Sequence, residues 1–372
     1  MPEILADARY ALLAGLIDDA ALYPPAQLGL AEAVAAHLAH LDSEHAWITG
    51  RFVVPASRLA ELDDLLPPGR ELELSVVLDA ATESGFAEGV RADLARIVAA
   101  EQPERLMVCS VEARLPGDAA VAVAALADAL MEHGLAGRVD VYAEIDIAGR
   151  PASELASAVG ALAATQRRVT DGARGLVATV VGHAGASRSG PAGTADAGRL
   201  LAAKVRCGGE RVPSPAELAG FLLACGRAAV TYKATAGLHH PHPRLDPDSG
   251  EVVEHGLLAV AAAGALVAGA AARGPRSGSH DLGQSSAARA RYAPPPAEGG
   301  EVNLAALVAV LSDPGPLALS TGGLATADRL LDAALIEKYR RSGLLAVGSC
   351  SIDETVADLV EMGVLAGAGH LA

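Results

Sequence analysis

Aromatic residues are scarce in this chain: Phe, Trp and Tyr together make up 3% of its 372 residues. Apolar residues nevertheless account for 51% of the sequence, and most of them are Ala, Leu and Val. A core built from many small side chains suits helices packed on parallel strands better than it suits a few large anchors. The chain exceeds the usual single-domain length, but barrels of alternating strands and helices reach this size as one domain.

Basic residues are also few. The chain has 29 Lys and Arg against 45 Asp and Glu, which gives a formal net charge of −16. Nucleic-acid binding needs a basic surface, so we expect no nucleic-acid partner. An acidic protein is also repelled by anionic membranes, so we expect no membrane partner. The N-terminal stretch MPEILADARYALLAGL has acids where a secretory signal has basic residues, which favours a cytoplasmic location. Assembly into a homo-oligomer stays open.

Three common sequence signals are missing. The four cysteines (Cys109, Cys207, Cys225 and Cys350) lie far apart with no CxxC, which favours reduced thiols over a disulfide framework or a zinc knuckle. No GxGxxG follows an early strand, which disfavours a dinucleotide-binding fold. The apolar run at 256–272 is shorter than the roughly 20 residues of a membrane span. It therefore predicts a buried helix.

Short apolar runs alternate with Ala-rich helical patterns such as LAEAVAAHLAHL. Repeated alternation of this kind predicts crossover units and a parallel sheet. The candidate strands are 12–17, 46–54, 72–78, 105–111, 139–145, 201–206, 229–234 and 344–348. Because eight strands close a barrel, we predict an α/β fold, a (β/α)8 TIM-like barrel that forms a single domain over residues 1–372.

Two segments interrupt this alternation. Residues 169–198 are rich in Gly, Ser and Ala and predict a flexible excursion between the fifth and sixth strands. Residues 243–342 separate the seventh and eighth strands by far more than one helix, which predicts an insertion or lid with a mobile loop at 273–301.

Two serines mark helix starts. Ser214 with Glu217, and Ser351 with Glu354, have the spacing of a capping box, in which each side chain binds the other residue's backbone amide. The first box follows the sixth predicted strand, and the second follows the eighth. Both therefore support the predicted order of elements.

Two lysines lie in strand-like stretches that run into glycine-containing turns: Lys204 in LLAAKVRCGG and Lys233 in AAVTYKATAGLHHPH. Lysine is rarely buried without a partner, and unpaired burial favours its neutral, nucleophilic form. A lysine near the carboxyl end of a barrel strand can form a Schiff base with a carbonyl compound. This pair indicates a reaction class.

Other polar residues follow the same predicted strands, and the reactive groups of a barrel project from the carboxyl ends of its strands. Glu112 and Glu144 are the candidate catalytic carboxylates. The candidate substrate-binding residues are Arg51, Arg206, Thr235, His239, His240, Ser349, Ser351 and Asp19. If the cationic members converge, they form a binding site for a small carboxylate or phosphate. The alternative is a structural ion network between the basic and acidic groups.

Three strand ends resemble those of class I aldolases of the deoxyribose-phosphate type. The run YKATAG at Lys233 resembles the K-x-[ST]-x-G strand end that carries the Schiff-base lysine of that family. The run KVRCGG at Lys204 is similar to the family's second lysine strand, although the two lysines occur in the reverse order. The run VGSCS at Ser349 resembles the last strand end, which binds phosphate at a helix N-terminus. Glu112 stands where the family has an aspartate.

The resemblance implies a lyase or isomerase that acts on a small anionic carbonyl metabolite through a lysine Schiff base, without a cofactor. One lysine attacks the carbonyl, and the charge of the other lowers the pKa of the attacking amine. Glu112 or Glu144 moves the protons. The motif favours Lys233 as the nucleophile, whereas strand counting favours Lys204. The chain as a whole is similar to a group of bacterial proteins, and that similarity implies no activity.

The run His239-His240-Pro241-His242 supports a different hypothesis. Neutral imidazole is the commonest metal ligand, so His240 and His242 together with Glu144 are candidate ligands for Zn²⁺ or another divalent ion. Such a metal would activate water or polarise a carbonyl in a hydrolase, lyase or isomerase. A third hypothesis is a non-catalytic barrel whose cationic mouth binds an anion.

Overall fold

The structure is a computed structural model, and it describes residues 7–79, 85–102, 104–177, 201–271, 302–313 and 315–366. The strands are β1 (Ile17–Asp19), β2 (Thr49–Pro55), β3 (Leu72–Val77), β4 (Leu106–Arg114), β5 (Asp140–Glu144), β6 (Leu201–Arg206), β7 (Tyr232–Thr235), β8 (Arg244–Leu245), β9 (Val252–Glu254), β10 (Ala318–Ser320), β11 (Gly323–Ala325), β12 (Leu330–Asp332) and β13 (Leu344–Ser349). The helices are α1 (Ala8–Leu13), α2 (Leu30–Leu41), α3 (Leu62–Leu65), α4 (Phe86–Ala100), α5 (Ala119–Glu132), α6 (Ala152–Val177), α7 (Pro215–Ala228), α8 (Leu257–Ala271), α9 (Leu304–Ser312), α10 (Ala333–Ser342) and α11 (Ile352–Glu361).

Eight parallel strands close into a barrel in the order β1-β13-β7-β6-β5-β4-β3-β2. Helices follow the barrel strands along the chain, so the predicted (β/α)8 fold is confirmed. The register aligns the residues that matter for chemistry: Lys204 on β6 lies opposite Lys233 on β7 and opposite Glu144 on β5. Neighbouring strands therefore bring these side chains to the same level of the barrel.

The first barrel strand begins later than the sequence predicts. Leu12 and Leu13 belong to α1, and the chain then turns at Gly15, whose φ of +55° favours glycine. The strand β1 is Ile17-Asp18-Asp19, and all three residues are buried. Two acids in a three-residue strand give no hydrophobic pattern, so the sequence predicts the strand on the apolar residues before the turn.

Two other boundaries shift for local reasons. Residues Ala46–Ile48 form a 3-10 turn, so β2 begins at Thr49. Ala229 adopts a left-handed φ of 53° as the C-cap of α7, which delays β7 to Tyr232. The predicted capping box at the start of α7 is confirmed, since Ser214 and Glu217 each bind the other's backbone amide.

The region 243–342 contains the hairpin β8–β9, the helices α8, α9 and α10, and the antiparallel sheet β10–β12. The predicted buried helix at 256–272 is confirmed as α8, whose residues Leu257 to Ala263 are all buried. The helix α6 continues to Val177, inside the predicted excursion at 169–198. The rest of that excursion and the predicted loop at 273–301 lie outside the described residues. Across the described residues, the helices are too short or too polar to cross a membrane.

The apolar core lies between the barrel and its helices. Side chains that point outward from the strands, such as Phe52, Val76 and Val205, are fully buried there. The inward faces differ from the usual packing of branched apolar residues, because they include Ser75, Ser110 and the charged groups described below. Charges inside a barrel need partners, since burying an unpaired charge is costly.

Gly348 on β13 allows two neighbouring strands to approach closely. A Cβ atom at this position would lie 2.7 Å from Thr235 Oγ1 and 3.6 Å from Lys233 Cε. We predict that Gly348→Ala lowers the free energy of unfolding by about 1–3 kcal/mol, because the short, branched Thr235 side chain has little room to move. Denaturant unfolding measures this loss. Gly220→Ala in α7 is the control, since its Cβ would meet no described atom within 4 Å. Equal losses in the two variants would contradict the prediction.

Candidate functional site

Lysine is rare in this chain: only three of its 29 basic residues are lysines. Lys204 and Lys233 are buried inside the barrel, whereas Lys338 is exposed on α10. Arginine supplies the remaining positive charge, but a guanidinium keeps its proton in proteins whereas a lysine amine can lose one. The scarcity of lysine therefore singles out the two barrel positions independently of their sequence motifs.

The carboxylate of Glu112 binds both buried amines. Its Oε2 atom lies 2.8 Å from Lys204 Nζ, and its Oε1 atom lies 2.7 Å from Lys233 Nζ. Lys204 and Lys233 are adjacent in the sheet, while Glu112 reaches them from β4 on the other side of β5. Glu112 is 2% exposed and Lys233 is fully buried, so this contact is shielded from solvent.

Two further carboxylates complete the ion network, the name used below for Asp18, Glu112, Glu144, Lys204 and Lys233. Glu144 Oε2 lies 2.8 Å from Lys204 Nζ, and Asp18 accepts a hydrogen bond from Lys233 Nζ. Two ammonium groups thus meet three carboxylates. The sequence predicts that the two lysine charges act directly on each other, but the structure places a carboxylate between them.

Neutral groups fix the orientation of Glu112 and Lys233. Ser75 Oγ donates a hydrogen bond of 2.6 Å to Glu112 Oε1, and Ser110 Oγ donates one of 2.6 Å to Ser75 Oγ. Lys233 Nζ lies 5.3 Å from the centre of the Tyr142 ring, a cation–π distance. Sequence reasoning missed Ser75, Ser110 and Tyr142. The available signal was a polar residue at every second position of an apolar strand.

The charges of the ion network shift the pKa values of its members. Burial by itself would raise the pKa of Glu112, but Lys204 and Lys233 hold that pKa well below its ordinary value. Burial would likewise lower the pKa of Lys204, but Glu112 and Glu144 raise it above 10.5. The pKa of Glu144 is lowered, because Lys204 and then Arg206 outweigh its burial. Lys204 therefore stays protonated at neutral pH, and both glutamates stay ionised.

The predicted cationic mouth is only partly assembled. The Arg51 guanidinium bonds to Asp140 Oδ2 at 3.0 Å and to the Tyr142 hydroxyl at 3.4 Å. Asp140 is the first residue of β5, so Arg51 points towards the amino-terminal end of the barrel. Arg206 is exposed at the end of β6, opposite Thr235 on β7. Arg206 and Thr235 therefore lie at the mouth, whereas Arg51 does not.

Asp18, rather than the predicted Asp19, faces the lysines. Asp19 points to the other side of β1, where its Oδ2 atom lies 3.1 Å from Nδ1 of His37 on α2. Successive side chains of a strand point to opposite faces, so only one of two consecutive aspartates can enter the barrel. Asp18 replaces the predicted Asp19 because β1 starts later than the sequence pattern indicates.

The histidine run lies against α11. His239 Nδ1 lies 3.3 Å from Glu354 Oε2, and His239 Nε2 lies 3.4 Å from Cys350 Sγ. His240 Nδ1 lies 2.6 Å from Asp358 Oδ2. Within the described ranges, no three His, Cys, Asp or Glu side chains form a group that could hold a metal ion. The predicted ligands His240, His242 and Glu144 are thus not brought together.

Ser349 and Ser351 form hydrogen bonds within their own turn. Ser349 Oγ donates to the Ser351 carbonyl at 3.0 Å, and Ser351 Oγ accepts from the Glu354 amide at 3.2 Å. This is the backbone half of the second predicted capping box, while the Glu354 carboxylate turns towards His239. A role for these serines in binding substrate stays a prediction.

A cavity of about 400 Å³ lies outside the barrel, between α7, α8 and α10. Its lining includes Leu222, Val267 and Tyr339, and it contains none of the ion network. Barrel enzymes place their reactive groups inside the barrel mouth, so we take the ion network as the candidate site.

Comparisons with protein-family models, with curated proteins and with solved structures find no match for this chain. The fold and the geometry of the ion network are therefore the features that bear on function.

We predict that Glu112→Gln removes a large and pH-dependent part of the stability. Glu112 has a lowered pKa, so its contribution is present above its unfolded value of 4.5 and is lost as pH falls. Lys204 has a raised pKa, so its contribution is present below its unfolded value of 10.5 and is lost as pH rises. The variant should lose about 3–5 kcal/mol near neutral pH, because two ammonium groups lose their shared partner.

Denaturant unfolding of wild type and Glu112→Gln across the pH range measures this difference. The gap in the free energy of unfolding should be widest near neutral pH and should narrow towards both extremes. Glu61→Gln is the control, since Glu61 pairs with Arg58 at the surface. A gap that stays constant with pH would contradict the assigned pairing.

Proposed function

We propose that this protein is a lyase or isomerase that acts on a small anionic carbonyl compound through a Schiff base on Lys233. One observation carries the proposal: two buried amines on adjacent strands share the carboxylate of Glu112. The fold supports it, because (β/α)8 barrels are commonly enzymes with reactive groups at the carboxyl ends of their strands. The resemblance of the lysine strand ends to class I aldolases points to the same chemistry.

The assignment of Lys233 as nucleophile follows from its surroundings. A Schiff base forms from a neutral amine, and the raised pKa of Lys204 keeps that side chain charged. Lys233 donates hydrogen bonds to two carboxylates, Asp18 and Glu112, and its proton goes to Asp18 because Lys204 holds Glu112 ionised. Gly348 leaves space beside the lysine chain, since even a Cβ there would lie 3.6 Å from Lys233 Cε.

The proposed reaction begins when the Lys233 ammonium passes a proton to Asp18. The neutral amine adds to the substrate carbonyl carbon, and an amine proton moves to the oxygen to give a carbinolamine. Asp18 then returns its proton to this hydroxyl, which leaves as water and gives a protonated imine. Glu112, held ionised by Lys204, then removes a proton from the substrate. Removal from the α-carbon gives an enamine and leads to isomerisation. Removal from a β-hydroxyl breaks the C–C bond, and the bonding electrons move into the imine. Reprotonation and hydrolysis release the product and the free amine.

The charges at the mouth support an anionic substrate. Arg206 is exposed there, and Lys204 stays positive beneath it. An anion that enters from the carboxyl ends of the strands would first meet these two groups. The exposed guanidinium of Arg206 also favours a second candidate, a non-catalytic barrel that binds an anion without turnover.

We predict that sodium borohydride traps a covalent adduct on Lys233 in the presence of pyruvate or a small aldehyde, because hydride reduces an imine to a stable amine. Peptide mass spectrometry should locate the added mass on Lys233. Lys233→Met should abolish this labelling, and Lys204→Met should slow it about 10²-fold, because Lys233 loses a like-charged neighbour and its charged, unreactive form is favoured.

Lys338→Met is the matched control, because Lys338 is the exposed lysine and reports the unspecific reaction. The Lys233 label should persist in this variant and in the presence of a chelator. Labelling confined to Lys338 would contradict the Schiff-base proposal and would support the anion-binding candidate. Loss of the Lys233 label on chelation would indicate a metal-dependent reaction instead.

A further inference from the structure

The hydroxyl group of Tyr23 is buried and has no hydrogen-bond partner among the described residues. Buried hydroxyl groups are normally paired, because an unsatisfied one costs free energy. Phenylalanine would fill the same space without this cost. An unpaired polar atom of this kind indicates a partner that binds during function.

The loop that carries Tyr23 is fixed over the barrel mouth. It follows β1, and its Ala20 amide donates a 2.7 Å hydrogen bond to the carbonyl of Ser349 at the end of β13. Within the loop, the Tyr23 amide donates to Ala20 O at 2.8 Å, and the Gln27 amide donates to Tyr23 O at 3.0 Å. The backbone around Tyr23 is therefore held by hydrogen bonds on both sides.

The Tyr23 hydroxyl lies within electrostatic range of the ion network. Burial raises the pKa of its hydroxyl, the charges of Glu112 and Asp79 raise it further, and Lys204 opposes them. Glu112 lies on β4, Asp79 follows β3, and Lys204 lies on β6, whereas Tyr23 follows β1. Charged groups from the opposite side of the barrel thus act on the buried hydroxyl, so it lies on the inner side of its loop and can gain a partner from a molecule in the mouth.

We propose that Tyr23 donates a hydrogen bond to a substrate hydroxyl on the carbon next to the reacting carbonyl, so that the substrate is a hydroxyaldehyde or hydroxyketone. This inference rests on the proposed Schiff-base function. Lys233 and Lys204 share Glu112, so the Tyr23 hydroxyl near Glu112 and Lys204 lies close to a carbonyl held at Lys233. A hydroxyl group both accepts and donates, so it can bind Tyr23 and the Glu112 carboxylate together. A carbonyl or carboxylate oxygen can only accept.

The test compares two neutral probes, glycolaldehyde and acetaldehyde, which differ by the hydroxyl group next to the carbonyl. Cyanoborohydride traps each imine, and peptide mass spectrometry gives the labelling rate of Lys233 relative to that of Lys338 in the same sample. The normalisation removes the intrinsic reactivity of each aldehyde. Wild type should prefer glycolaldehyde at Lys233 by about tenfold, the effect of one good hydrogen bond.

Tyr23→Phe should reduce this preference to near one, and its melting temperature should match or exceed that of wild type. Tyr10→Phe is the control, because the Tyr10 ring stacks on Trp47 away from the mouth, and it should keep the preference. A preference that survives in Tyr23→Phe, or is absent from wild type, overturns the role of Tyr23 while the Schiff base stands. The absence of labelling at Lys233 with either aldehyde overturns both proposals.

Discussion

The rest of the site depends on one carboxylate. Glu112 binds the amines of Lys204 and Lys233 with its two oxygens, and Ser75 donates to one of those oxygens as well. Neither lysine could remain charged inside the barrel without such a partner, since the desolvation of an unpaired charge is costly. The polar interior, the small residues of β13 beside Lys233 and the serine pair on β3 and β4 all accommodate this arrangement.

The carboxylates of the ion network also give the two lysine amines different surroundings. Lys204 lies between two glutamates and keeps its proton, so it acts as a fixed positive charge. Lys233 lies between Asp18 and Glu112 and donates a hydrogen bond to each. Two residues of the same type on adjacent strands thus have different carboxylate partners. Tyr23 adds a buried hydroxyl that has no hydrogen-bond partner among the described residues, as do Thr49 Oγ1 and His255 Nδ1.

The sequence predicts much of the barrel because the hydrophobic pattern of its strands repeats with a different period from that of its Ala-rich helices. It also identifies Lys204, Lys233, Glu112 and Glu144, which stand near the ends of recognisable strands. The sequence does not predict the position of β1, because Ile17-Asp18-Asp19 has no apolar pattern. As a result it selects Asp19 as the site residue, whereas the structure places Asp18 beside the lysines. The sequence does not predict contacts between distant elements either. The electrostatic contact of Tyr23 with the ion network and the hydrogen bond of Arg51 to Asp140 depend on how the barrel closes, which no local pattern records.

The most direct test of the shared carboxylate is nuclear magnetic resonance of protein labelled with ¹⁵N at its lysine side chains. The chain contains only three lysines, so the spectrum can be assigned by replacing each one in turn. The account predicts that the Nζ signals of Lys204 and Lys233 exchange slowly with water, and that Glu112→Gln shifts both while leaving Lys338 unchanged. Three signals that all exchange rapidly, or a Glu112→Gln spectrum in which only one buried lysine responds, would contradict it.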